Sequence, residues 1–125
     1  LPNNLALGTF MTTIYGIKNC DTVKKATKWL DKQGIEYNFF DFKTQPLTTE
    51  LLTEFVNRSS WDVLLNKRST TFRNLPEAIK DNLTDDIIFK AVLEQPTLLK
   101  RPLVDHNNNF QVGFKEPLYQ ELFLS

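Results

Sequence analysis

Apolar positions along the chain change period several times, and each change marks an element. Thr12-Thr13-Ile14-Tyr15 reads as a short strand, after which Val23, Ala26 and Leu30 recur at i, i+3 and i+7, one face of a helix. That spacing predicts a first helix from about Asp21 to Gln33, with Gly34 as its C-terminal cap. Asn19, Asp21 and Thr22 bring N-terminal capping chemistry to the point where the helical period begins. Ile35, Tyr37 and Phe39 alternate within an aromatic run over residues 35–42. The run predicts a second strand, and its apolar density places that strand centrally. Strand, helix and strand with short joins make a right-handed βαβ unit with parallel strands.

After Lys43-Thr44-Gln45-Pro46 the pattern turns helical. Thr48 can cap a helix whose apolar face is Leu51, Leu52, Phe55 and Val56, and a short apolar run follows at residues 61–65. Pro76 and Thr84 open two more helices, the second carrying Ile87, Ile88, Ala91 and Val92 until Pro96 ends it. With no strong strand pattern here, residues 48–95 read as a helical insertion too short for an independent core. Two short alternating runs then flank Asp105-His106-Asn107-Asn108-Asn109, which predicts a β-hairpin with Pro102 at an edge, a bulge or a strand start. Residues 116–123 close the chain as a helix with Leu118, Leu122 and Phe123 facing inward. Residues 1–11 have no clean period and read as a leader or disordered extension, leaving a single domain over residues 12–124. The order is βαβ, helices, ββα, an α/β architecture.

Composition narrows the function classes. At 125 residues and 41% hydrophobic, the chain can bury its own core. Fifteen basic and fifteen acidic residues cancel, which argues against an extended nucleic-acid footprint. No run approaches the ~18 apolar residues of a membrane span. One histidine and one cysteine make no zinc constellation, so no metal is expected. A single cysteine without a signal-like apolar segment suggests a reducing, cytoplasmic setting.

Candidate chemistry centres on that cysteine. Cys20 falls at the predicted start of the first helix, where unpaired backbone N–H groups and the positive dipole end favour a thiolate. Such placement lowers a cysteine pKa from about 8.5 toward roughly 3.5–7.5. The functional reading is a reactive nucleophile, and the alternative is a small buried hydrophobe. An internal disulfide is impossible, so any redox cycle borrows an external thiol. Lys24, Lys25, Lys28 and Lys32 form a solvated helix face, with Lys24 and Lys25 adding positive potential near Cys20. His106 lies in the hairpin's turn region, where nothing brings it to Cys20 as a base.

Ile14-Tyr15-Gly16, Asn19-Cys20-Asp21-Thr22, Leu64-Leu65-Asn66-Lys67-Arg68, the run from Gln95 to Val104 and Gly113-Phe114-Lys115-Glu116 together carry a resemblance. The chain resembles the Spx and glutathione-coupled arsenate reductase family, and Cys20–Lys25 with Gly113–Glu116 look most like its YffB-type branch. The resemblance implies a thioredoxin-like fold with a mixed four-stranded sheet, Cys20 as nucleophile, and Arg101 facing it before a cis Pro102. An arginine there offers a planar fork suited to oxyanions, carboxylates or sulfur-centred anions. Asn19, Asp21, Thr22, Lys24, Arg68, Pro102 and Lys115 would then bind the anion or glutathione.

The implied protein is a glutathione-dependent thiol reductase acting as a monomer on a small or protein thiol substrate, with glutathione as co-substrate and no bound cofactor. Where the family's arsenate reductases carry arginines, this chain has Asn66 and Lys115, so true arsenate reduction is not expected. Val23 replaces the second cysteine of the CxxC switch found in Spx regulators. The alternative is an Spx-like regulator binding RNA polymerase without that switch.

Overall fold

A computed structural model describes residues 11–125. The extension expected at residues 1–11 lies, apart from Met11, outside the described residues. The chain divides into two compact units, one holding the N-terminal part through Lys43 together with Arg101–Ser125, the other Thr44–Lys100.

The first unit is built on a mixed sheet. Among the described residues it has four strands: β1 (Thr12–Gly16), β2 (Asn38–Asp41), β3 (Leu103–His106) and β4 (Asn109–Val112). Their order is β2-β1-β3-β4, with β1 and β2 parallel and the β1–β3 and β3–β4 pairs antiparallel. Helix α1 (Asp21–Lys32) makes the crossover between the parallel strands, completing the expected βαβ unit. Its C-cap is Gln33, and Gly34 follows at φ +72°, the left-handed conformation glycine adopts at little cost. Strand β2 lies at an edge, not centrally. Its aromatic density has another cause: Ile35, Tyr37 and Phe39 pack on the core, while Phe40 stacks with Tyr15 and Phe42.

Val23, Ala26, Trp29 and Leu30 of α1 are buried, and Ala26, Trp29 and Leu30 form with Ile14, Val104 and Tyr119 one apolar cluster. Tyr119 belongs to α7 (Glu116–Leu124), is fully buried, and packs edge-on to Trp29 and Phe114. Leu118, expected to face inward, is exposed. Tyr119, Leu122 and Phe123 hold the i, i+3, i+4 positions of the buried stripe, which leaves Leu118 on its flank. The hairpin turns through Asn107 and Asn108, both at positive φ as a type I′ turn requires.

The second unit is mainly helical: α2 (Thr49–Arg58), α3 (Trp61–Leu64), α4 (Thr70–Arg73), α5 (Glu77–Lys80), α6 (Asp85–Glu94) and a 3-10 turn (Pro96–Leu98). Thr48 and Thr84 cap α2 and α6 by accepting the N–H groups of Leu51 and Ile87. Leu52, Phe55, Leu64, Ile88, Val92, Leu98 and Leu99 are buried. An isolated antiparallel bridge, Leu65 to Leu99, is flanked by hydrogen bonds from Asn66 N–H to Leu98 O (2.8 Å) and Lys100 N–H to Leu64 O (2.7 Å).

Candidate functional site

The turn from β1 into α1 sets the position of the sulfur. Gly16 ends β1, and a Cβ there would lie 2.9 Å from Val23 Cγ2, so only glycine lets the first turn of α1 close on the strand. Cys20 is the N-cap residue itself, extended at φ −144°, with its carbonyl accepting the Lys24 N–H at 2.9 Å. No side chain caps this helix, contrary to the expectation for Asn19, Asp21 and Thr22. Asn19 stands outside the cap position, and Asp21 in the first turn acts through the helix dipole instead. Cys20 is half-buried, neither sealed in the core nor fully in water, which disfavours the buried-hydrophobe reading. Asn19, Asp21, Thr22 and Lys24 around it are exposed.

Strand register carries the other residues to the same end of the sheet. Tyr15 pairs with Leu103, so the chain entering β3 through Arg101 and Pro102 lies beside the C-terminal end of β1, from which the Cys20 turn departs. The Arg101–Pro102 bond is cis, as the resemblance implies. Leu103 pairs in turn with Val112, and Gly113 N–H donates to Pro102 O at 2.8 Å. That bond holds the start of the next segment, whose Lys115 is the exposed N-cap of α7. Arg101 is half-buried and Pro102 buried.

Cys20, Arg101, Pro102 and Lys115 thus lie toward the same end of the first unit's sheet. His106, paired with Thr12, lies at the opposite end, which removes it as a base for Cys20. Arg68 belongs to the second unit, where it lines a cavity of about 580 Å³ with Trp61, Asn66, Lys67 and Lys100 among others.

Two features escape the sequence patterns. Asp41 is buried at the end of β2, in register with Gly16, and its carboxylate accepts the Lys43 N–H at 2.9 Å. An aspartate closing an aromatic run is the only sequence trace of it. Lys18, together with Val23, Lys24, Thr27, Tyr37 and Phe39, lines a cleft of about 350 Å³ along α1. Its residues come from three segments, so no local pattern announces it. Among the described residues no cluster of histidine, cysteine and carboxylate side chains could hold a metal ion, and no helix is long and apolar enough to cross a membrane.

The family model described as the ArsC family matches residues 15–122, from the end of β1 into α7. This chain belongs to the ArsC family. It is 46% identical over 113 residues to an uncharacterized protein of Haemophilus influenzae, covering 90% of this chain and 99% of that one. It is also 30% identical over 108 residues to the global transcriptional regulator Spx 1 of Lactococcus lactis, covering 85% and 84%. A solved structure of the YffB protein superposes with a TM-score of 0.84 at 38% identity, covering 89% of this chain and 97% of that one. The ArsC-family fold is the thioredoxin-like one expected, and the similarity extends to its YffB-like branch.

Proposed function

We propose that this ArsC-family chain is a thiol reductase that uses Cys20 as its single nucleophile and glutathione as the thiol that completes the cycle. The observation carrying the reading is the N-cap position of Cys20: half-buried, beside first-turn amides that no side chain occupies. Negative charge on the sulfur is stabilised there by main-chain dipoles that need no reorganisation. Arg101 and Lys115, brought to the same end of the sheet, supply positive field, and Asn19, Asp21 and Thr22 contribute side chains and backbone around the anion.

The sulfur of Cys20 attacks one sulfur of an oxidised substrate, whose S–S bond breaks as a Cys20–S–S–R bond forms. The other half leaves as a thiolate with the electron pair. Glutathione thiolate then attacks the mixed disulfide at the substrate-derived sulfur, freeing Cys20 and leaving with that half as a glutathione disulfide. One substrate half thus leaves as a thiolate and the other as its mixed disulfide with glutathione, Cys20 returns to the thiolate, and the exchange needs no bound cofactor. Arsenate is a poor substrate in this reading, because Asn66 and Lys115 replace guanidinium forks by groups that do not match an oxyanion bidentately. A monomer in the cytoplasm, among reduced glutathione, fits a lone catalytic thiol.

Incubation with oxidised glutathione followed by mass spectrometry tests this. The wild-type chain forms one mixed disulfide, reduced glutathione removes it, and Cys20→Ser forms none. A wild-type chain that stays unmodified refutes the proposal.

The relatives named Spx favour a second reading, a regulator that binds RNA polymerase. With one cysteine it has no disulfide switch, so binding would be independent of redox state. Retention of the chain on purified RNA polymerase, equal for wild type and Cys20→Ser, is its expected signature.

A further inference from the structure

The cleft along α1 is chemically unlike the rest of the Cys20 surroundings. Val23 is almost wholly buried, Phe39 packs on the core cluster, and the Tyr37 hydroxyl donates to Asp31 Oδ1 at 3.1 Å, which fixes the ring. The Thr27 hydroxyl donates to the carbonyls of Val23 (3.1 Å) and Lys24 (3.2 Å), which ties its proton to the helix backbone. What remains is a largely apolar trough whose lining includes two lysines, Lys18 and Lys24. Both lysines are exposed, and neither forms an ion pair among the described residues. Lys18 lies two residues before Cys20 in the turn, and Lys24 donates its N–H to the Cys20 carbonyl at 2.9 Å, so one end of the trough lies at the same end of α1 as the nucleophile. Its volume of about 350 Å³ suits one ring-sized group.

We infer that this cleft is the specificity subsite for the oxidised substrate, taking a disulfide whose organic group is aromatic or bulky apolar and bears a carboxylate. The inference rests on the proposed nucleophilic role of Cys20. Flexible, polar glutathione gains little from such a lining, so the cleft selects the substrate half that glutathione later carries off. Apolar burial supplies affinity, and the ammonium groups discriminate for the anion.

Second-order rates of Cys20 modification test it on the full chain with three disulfides. Dithiobis(nitrobenzoate) is aromatic and anionic, dithiodipyridine aromatic and uncharged, dithiodiglycolate anionic and small. In each case the attacked S–S bond breaks, a Cys20 mixed disulfide forms, and one thiolate departs. Thr27→Trp fills the cleft and lowers the rate with dithiobis(nitrobenzoate) relative to dithiodiglycolate on the order of ten-fold. Lys18→Gln, in the exposed turn, lowers it relative to dithiodipyridine by several-fold and remains informative if Thr27→Trp fails to fold. If Cys20 reacts but both ratios stay at wild-type values in folded variants, the subsite is refuted and the proposed function stands. If wild-type Cys20 reacts with none of the three, the proposed function falls and the subsite with it.

Discussion

Gly16 shows how a single missing atom governs the site. Its backbone is ordinary strand, so conformational freedom is not the reason for glycine here; the reason is the 2.9 Å approach of Val23. Gly16→Ala should push α1 off β1 and destabilise the chain by about 1–3 kcal/mol, measured as a lower urea midpoint. At this scale the sequence was legible where chemistry is local. Cys20 at the helix start, Gly34 at the cap and the two asparagines of the hairpin all follow from backbone rules. Asp41 and Lys18 were not legible, because what defines each is a neighbour distant in the chain: Gly16 for the first, Tyr37 and Phe39 for the second.

Elements were most legible where a cap and a period agree. Thr84 followed by Ile87, Ile88, Ala91 and Val92 marks α6 from both ends, and its hydroxyl does accept the Ile87 N–H. Thr84→Ala removes that bond and should cost about 1 kcal/mol, read as a shift in urea midpoint with the slope unchanged. Helix α4 was invisible because a single turn is too short to show a period, although Ser69 caps it by accepting the Phe72 N–H at 3.0 Å. Strand β2 was found but misplaced. Apolar density reports that both faces of a strand are covered, not that both of its edges are paired, and a clasp of Tyr15, Phe40 and Phe42 satisfies the first without the second.

For the whole molecule, balanced charge makes the sole histidine the side chain that ordinarily titrates near neutrality. Burial lowers His106 below its ordinary 6.5, only partly offset by Asp105, while Thr12 hydrogen-bonds its Nδ1 at 2.6 Å and Phe123 packs on the ring. A depressed folded-state value means the unfolded chain takes the proton first. The stability it contributes is therefore complete above pH 6.5 and is lost as pH falls through the folded-state value. Urea titrations at descending pH should show this loss in the wild type and a flatter profile in His106→Gln.

The same antiparallel register that sends His106 away from Cys20 also sends Asn107 and Asn108 there. The sheet is consequently a ready-made ruler with a natural zero. A thiol-reactive dye attaches only at Cys20, and a second reporter placed at Asn108 sits roughly 15 Å along the strands, given about 3.3 Å per residue. Modification of the sulfur at one end can then be read from a reporter at the other that lies outside the site.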